Sequence, residues 1–190
     1  MDVPPPTEAP PATGRSARLF VILLVGLGIL GALWLGIQQA RDVRPRATGL
    51  RAPNVGFQRF GGGAVSLESL HGKVVLVDFW GTFCPPCVEE MPVLVKLAHE
   101  YEPRGLVFVA PSLDDPDRAA VEVGAFIDRQ VPGLAPYAAF GNDASANAFG
   151  IHLLPTLVVI DRSGKVVATY LGSASERLWR ERIESALRGS

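Results

Sequence analysis

The chain has 190 residues, a hydrophobic content of 48% and a formal net charge of −1 at pH 7. This length allows one domain of ordinary size plus additional segments. A charge so close to zero gives no electrostatic reason to expect nucleic acid as a partner. Two cysteines are too few for a secreted scaffold held together by disulfides, so any sulfur chemistry comes from that one pair.

The first eighteen residues are rich in proline and contain almost no large apolar side chains. Such a segment cannot bury enough apolar surface to offset the entropy lost on ordering. We therefore expect residues 1–18 to form a disordered tail.

Residues 19–37 form a run of nineteen residues without a charged side chain. As a helix this run would be about 28 Å long, close to the ~30 Å thickness of a bilayer core. A cleaved signal peptide is the alternative, but a cut after Ala40 would put Gln38 where such sites need a small residue. The run therefore predicts an uncleaved transmembrane anchor at 19–37.

Arginines on either side of this segment bear on its orientation. Arg15 and Arg18 precede it, whereas Arg41, Arg44 and Arg46 follow it. Because positive charge favours the cytoplasmic side of a membrane, this count weakly favours a cytoplasmic location for the rest of the chain.

The remainder of the chain divides into a linker and a globular domain. Residues 38–52 carry arginine, proline and glycine with little apolar content, which is typical of a tether, and a globular pattern begins at Pro53. Apolar runs predict strands at 74–80, 106–110, 156–160 and 166–171, and helical periodicity predicts helices at 87–102, 117–130 and 175–187. Strands that alternate with helices predict an α/β domain with helices on both faces of the sheet.

Cys84 and Cys87 lie where the first of these strands ends and a helix begins. The start of a helix stabilises a thiolate, which is the reactive form of cysteine. The pattern predicts Cys84 as the exposed attacking thiol and Cys87 as the resolving thiol one turn further on. A zinc site would need four ligands, but a two-coordinate copper(I) site on the two cysteines remains an alternative.

Four neighbouring residues affect the redox balance of this pair. Pro85 and Pro86 lack the amide groups that would otherwise be available to a Cys84 thiolate. Glu89 and Glu90 are expected to add negative charge to the same turn. Both effects disfavour the reduced, thiolate form, so we expect a pair that is not strongly oxidising.

The segment VVLVDFWGTFCPPC, followed by Met91-Pro92 and later by Leu154-Pro155-Thr156, resembles the thioredoxin superfamily. More narrowly, it resembles the membrane-tethered TlpA/ResA-like thiol-disulfide proteins, over roughly residues 51–190. The resemblance implies a thioredoxin-like fold at 53–190, with a central mixed β-sheet flanked by helices and preceded by one transmembrane helix. It also implies an extra helix and strand between Leu113 and Phe149.

The resemblance further implies roles for individual residues. Pro155 would be a cis-proline that faces the cysteines, and the backbone of Leu154 would pair with an extended substrate. Asp78 would accept the proton of the resolving thiol of Cys87. Independently of the family, an acid within an apolar strand should have a raised pKa. The alternative to the proton-accepting role is a sheet residue with a solvated or water-bridged carboxylate.

Two aromatic residues beside the cysteines complete the expected substrate-binding set. Trp80 is expected mainly to pack in the core and to fix the loop. Phe83 stands where a tryptophan is more usual in the family, so it keeps an aromatic platform but lacks the indole N–H donor. Together with Gly81 this departure predicts an altered choice of partner.

The resemblance thus implies a thiol-disulfide oxidoreductase that reduces disulfides of exported proteins and needs no cofactor. The implied clients are those of cytochrome c maturation or copper-site assembly, with a membrane reductant of the DsbD/CcdA kind. The implied location is the inner membrane, single-pass, with the domain facing the periplasm or extracytoplasmic space and the tail in the cytoplasm. A DsbA-like thiol oxidase and a copper-binding assembly module are the alternatives.

Overall fold

The chain divides into two units, Met1–Asp42 and Val43–Ser190. The computed structural model describes residues 20–32 of the first and 49–189 of the second. Residues 20–32 form a helix, α1, most of whose side chains are exposed. Within the described part of the chain, no helix has both the length and the apolar content needed to cross a membrane.

Several predictions lie wholly or partly outside the described residues. These are the tail at 1–18, both ends of the predicted anchor at 19–37, most of the linker at 38–52, and the five arginines that flank the anchor. The tail, the anchor and the linker therefore stay predictions.

The second unit is built on a mixed sheet of seven strands in its described part. The order across the sheet is β2-β1-β5-β4-β3-β6-β7. β3 pairs in parallel with β4 and antiparallel with β6. The strands are β1 (Gly56–Arg59), β2 (Ala64–Ser66), β3 (Val74–Phe79), β4 (Leu106–Ser112), β5 (Ala138–Phe140), β6 (Thr156–Ile160) and β7 (Val166–Leu171).

Four helices pack around this sheet: α2 (Pro85–Tyr101), α3 (Ala119–Arg129), α4 (Asp143–Phe149) and α5 (Glu176–Arg188). Local signals define where two of them begin. Asn142 caps α4 through a reciprocal capping box with Ser145, and the hydroxyl of Ser175 accepts the N–H of Leu178 at the start of α5. The predicted helices at 87–102, 117–130 and 175–187 correspond to α2, α3 and α5.

The central position of β3 explains why its sequence is an almost continuous apolar run. All six of its residues are buried, and successive side chains point to opposite faces of the sheet. Val74 and Leu76 face a core with residues of α2, α3 and α5, whereas Val75 and Val77 face a second core that includes Ala146 of α4. The sheet is therefore covered by helices on both faces, as the sequence predicts.

Strand β5 and helix α4 lie in the segment 113–149, where the family resemblance implies an extra helix and strand. β5 pairs in parallel with β4 and antiparallel with β1. The insertion therefore joins the hairpin of β1 and β2 to the central sheet. That hairpin was not predicted, because its strands are short and Phe57 and Val65 are their only buried residues.

Candidate active site

The cysteine pair lies at the junction between β3 and α2. Cys84 is the residue that precedes the first turn of α2, and it forms a disulfide with Cys87. Cys84 keeps 7% of its surface exposed and Cys87 none. Cys84 is thus less exposed than the sequence suggested, yet it is the one of these two cysteines that keeps any exposed surface.

The beginning of α2 has few free amide groups near the cysteines. Pro85 and Pro86 occupy its first two positions and have no N–H to donate. The N–H of Val88 donates to the carbonyl oxygen of Cys84 at 3.1 Å. The stabilisation that a helix start normally offers to a Cys84 thiolate is therefore reduced.

Trp80 follows β3 and forms hydrogen bonds with β4 and the residue after it, beyond the last paired residues of the two strands. Its indole N–H donates to the carbonyl of Ala110 at 3.1 Å, and its backbone carbonyl accepts the N–H of Leu113 at 2.8 Å. The side chain has no exposed surface. This corrects its grouping with the substrate-binding residues, because a fully buried ring cannot contact a client; Trp80 packs in the core and fixes the loop.

Phe83, in contrast, is 65% exposed although it directly precedes Cys84. Its ring lies against the backbone of Gly81, where the Cβ atom of any larger residue would be 2.6 Å from Cε1 of the ring. Of the two predicted aromatic residues, Phe83 is the one available to a client.

The loop before β6 approaches the same end of the sheet. The peptide bond between Leu154 and Pro155 is cis, as the resemblance implies. Thr156 pairs with Phe79, so Pro155 comes next in register opposite Trp80. Leu154 packs against the core cluster that contains both cysteines, and among the described residues its backbone N–H and C=O have no hydrogen-bond partner. Its proposed role in pairing with substrate stays a prediction.

Asp78 lies on the face of β3 that also carries Leu76 and Trp80, which is the face covered by α2. It has no exposed surface, and neither carboxyl oxygen has a hydrogen-bond partner among the described residues. Burial raises the pKa of Asp78 to about 8. The predicted rise in the pKa of Asp78 is confirmed and its carboxyl is not exposed to solvent, whereas its role as proton acceptor stays a prediction.

Glu90, three residues after Cys87, is a second buried acid that the sequence analysis did not identify. It is 5% exposed, and both carboxyl oxygens are without a hydrogen-bond partner in the described part. Burial, and after it the negative charge of Asp78, raises the pKa of Glu90 to about 9. The N–H groups of Ala174 and Trp179 lower this pKa, but neither makes a hydrogen bond of normal geometry to the carboxyl.

The burial of Glu90 corrects the expectation that it adds negative charge near the cysteines. A carboxyl with this pKa is protonated at neutral pH, so Glu90 does not contribute the expected charge. A sequence signal for this was present: Glu90 precedes Leu94 by four residues and Leu97 by seven, on the buried face of the helix.

A thioredoxin-like sheet with a disulfide-bonded CxxC pair at the start of a helix defines a thiol-disulfide oxidoreductase. Comparisons with known proteins agree. A family model described as Redoxin matches residues 47–187. The thiol-disulfide oxidoreductase ResA of Halalkalibacterium halodurans is 34% identical over 137 residues, which cover 72% of this chain and 75% of that protein. The ResA of Bacillus anthracis is 30% identical over 177 residues, covering 92% and 97%.

A solved structure supports the same class. The thiol:disulfide interchange protein of the thioredoxin family from Chlorobium tepidum has a TM-score of 0.65 and 27% sequence identity, covering 75% of this chain and 99% of its own. The chain belongs to the redoxin family and, within the thioredoxin superfamily, is TlpA/ResA-like. The predicted thiol-disulfide oxidoreductase activity of Cys84 and Cys87 is thereby confirmed.

Proposed function

We propose that this oxidoreductase works as a reductant of disulfides in exported proteins. The thiolate of Cys84 attacks one sulfur of a client disulfide, and the other client sulfur leaves as a thiolate. Cys87 then attacks Cys84 in the mixed disulfide, which releases the client as a dithiol and leaves the Cys84–Cys87 disulfide. The observation that carries this proposal is the disulfide at the start of α2, of which only Cys84 reaches the surface.

The ionised form of Asp78, which is the minor form at neutral pH because burial raises its pKa to about 8, is the proposed acceptor for the proton that Cys87 loses when it attacks. An ordinary thiol has a pKa of about 8.5, and the pKa of Asp78 is raised to about 8. Because the two values are similar, a proton moves between the groups at little cost in either direction. Glu90 shares the buried site, and the charge of each carboxyl makes ionisation of the other harder.

The reducing direction is supported by the start of α2. With Pro85 and Pro86 in its first two positions, this helix offers less stabilisation to a Cys84 thiolate. A poorly stabilised thiolate favours the disulfide form, which makes the dithiol form a better reductant. A DsbA-like oxidase would show the opposite balance, so the equilibrium of the full chain with glutathione distinguishes the two: a mainly oxidised Cys84–Cys87 pair at equilibrium supports the reductant.

A copper-binding assembly module is the second candidate, because the two cysteines would suit copper(I). In the described residues there is no group of three or more histidine, cysteine or acidic side chains that could hold a metal ion. Copper stoichiometry on the reduced chain, measured beside reduction of insulin disulfides, discriminates the module from the reductant.

The location is part of the same proposal. We place residues 19–37 across the inner membrane as a single-pass anchor, with the catalytic domain in the periplasm or extracytoplasmic space. The uncharged run of nineteen residues supports the membrane anchor. The larger number of arginines after this run argues weakly against an orientation with the domain outside the cytoplasm. A reporter fused after residue 190 tests the orientation: activity of a reporter that works only outside the cytoplasm is expected.

Clients and the electron donor follow from the family resemblance. We propose clients of the cytochrome c maturation or copper-site assembly type, with electrons from a membrane reductant of the DsbD/CcdA kind. The test is a trap: the Cys87→Ser variant should accumulate covalent adducts on Cys84, whose masses identify the clients. The matched Cys84→Ser variant should trap none of these clients. Dithiol transfer by a Cys84→Ala variant would refute the proposed chemistry.

A further inference from the structure

A buried carboxyl outside the proposed catalytic set holds the loop that carries Phe83. Asp114 follows β4 and is 3% exposed. Its two oxygens accept the backbone N–H of Thr82, each at 3.1 Å, and they also accept the hydroxyl groups of Thr82 and Ser112. One carboxyl therefore binds both polar groups that Thr82 can donate.

These bonds tie the active-site loop to the neighbouring strand. Thr82 is separated from Asp114 by 32 positions in sequence, so the contact is purely tertiary. The loop is closed on its other side by a turn in which the N–H of Cys84 donates to the carbonyl of Gly81 at 3.1 Å. These two attachments fix the backbone conformation of residues 81–83. The attachment to Asp114 is the stronger one, because hydrogen bonds to a carboxylate are stronger than those between neutral groups.

The position of the Phe83 ring follows from this loop. With Thr82 held by Asp114, the ring of Phe83 lies over residue 81. The ring can occupy this position because Gly81 has no Cβ atom that would collide with it. An aromatic ring already fixed on a rigid loop loses little conformational freedom when a partner binds to it. Phe83 is therefore a preorganised contact rather than a loose side chain.

The surroundings define the chemistry of what would bind. Next to Phe83 along the chain are the exposed Pro85 and Pro86, and the loop before the cis-proline exposes Leu153 by 54%. These three side chains are uncharged and offer no hydrogen-bond donor; the exposed polar residues next to them in sequence are His152, which precedes Leu153, and Glu89, which follows Pro86 by three positions. An apolar side chain of the client fits the apolar part of this surface, formed by Phe83, the two prolines and Leu153, where a charged side chain would lose hydration without gaining a partner.

We propose that Asp114 is a positioning residue: through Thr82 it presets the Phe83 ring to receive an apolar client side chain beside the disulfide under attack. This inference rests on the proposed function, in which Cys84 attacks a client disulfide. It adds a preference among clients and a residue that sets it.

The test compares turnover by the full chain, with dithiothreitol as the electron donor and its uncatalysed rate subtracted, on two synthetic disulfide-bonded peptides and on hydroxyethyl disulfide. The peptides differ only in the residue before the reactive cysteine, which is leucine or glutamate. Thr82→Val removes one donor to Asp114 but keeps the size of the side chain. We expect it to raise KM for the leucine peptide about tenfold, which corresponds to about 1.4 kcal/mol. The value of kcat and the turnover of hydroxyethyl disulfide should stay within about twofold.

Two further variants separate positioning from a general loss of structure. Thr82→Ser keeps the hydroxyl donor and should retain the KM of the unmodified chain. Phe83→Ala should raise KM for the leucine peptide, and adding Thr82→Val to it should have no further effect, because the network acts through the ring. Gly81→Ala, which displaces the ring but leaves the Asp114 contacts, should raise the same KM.

Four results would overturn the inference: an unchanged KM of Thr82→Val for the leucine peptide, an equal rise in KM for both peptides, multiplying effects of Thr82→Val and Phe83→Ala, or a Thr82→Ser variant as impaired as Thr82→Val. Failure of the proposed function is a different result, since a Cys84→Ser variant would then still turn over the leucine peptide. If Cys84→Ser is inactive and Thr82→Val keeps its KM, the positioning role of Asp114 alone is refuted.

Discussion

Replacing Asp78 with asparagine should change the pH dependence of the stability of the oxidised protein. In the folded chain the pKa of Asp78 is raised by burial to about 8, from an ordinary value of 3.8. Between these pH values the folded state holds a proton that the unfolded state has released. The stability linked to this proton is fully present below the ordinary pKa and is lost as pH rises towards the raised one.

The size of the effect follows from one proton per carboxyl. Each such group lowers the free energy of unfolding by about 1.4 kcal/mol for every pH unit in this window. From pH 5 to pH 7, Asp78 therefore accounts for a loss of about 2.7 kcal/mol. Glu90, whose pKa is raised to about 9, adds a loss in the same direction. The Asp78→Asn variant should keep only the part that comes from Glu90, which is about half of the slope.

Urea unfolding of the full chain in a non-ionic detergent, at pH 5, 6 and 7 with the disulfide intact, measures this slope. Keeping the disulfide removes the titration of the two thiols from the comparison. The matched control is Glu89→Gln, which removes an exposed carboxyl from the turn of α2 that also carries Glu90. An Asp78→Asn variant with the full pH slope of the unmodified chain would refute the conclusion that Asp78 is buried in protonated form.

Three further predictions concern the same domain. Glu90→Gln should also remove about half of the pH slope, and a combined Glu90→Gln and Asp78→Asn chain should be nearly independent of pH between 5 and 7, as measured by the same unfolding series. Trp80→Phe should lower the free energy of unfolding by about 1–3 kcal/mol, because the bond from its indole N–H to the carbonyl of Ala110 is lost in a buried site; an unchanged urea midpoint would contradict this. Asn142→Ala should cost about 1 kcal/mol through loss of the α4 cap, with hydrogen exchange expected to rise first in α4.

Much of the domain was predictable because its strands are buried on both faces. The sequences of β3, β4 and β6 are apolar runs, which predict buried strands without knowledge of their neighbours. A CxxC pair directly after such a run predicts the start of a helix. The hairpin of β1 and β2 escaped prediction because each strand buries a single residue, Phe57 or Val65, and gains its stability from pairing with β5 far along the chain. Local patterns carry no information on such a partner.

The residues of the candidate site also fall into two groups, those that the sequence predicts and those that only the structure reveals. Cys84, Cys87 and the raised pKa of Asp78 followed from residue type and local context. Glu90 was assigned as a surface charge because glutamate usually lies in water. Its burial depends on how α2 packs on β3 and α5, and the spacing of Glu90 from Leu94 and Leu97 was the one local signal for it.

The sequence by itself determined the chemistry: two sulfurs three positions apart after an apolar run, an acid within that run, and a proline pair that removes two amides. Only the tertiary structure decided which side chains act on one another. It set Asp78 and Glu90 in one buried site, enclosed Trp80 in the core, exposed Phe83, and joined Asp114 to Thr82. The physical reason is that burial and hydrogen bonding depend on distance in space, and folding brings together groups that lie tens of residues apart in the chain.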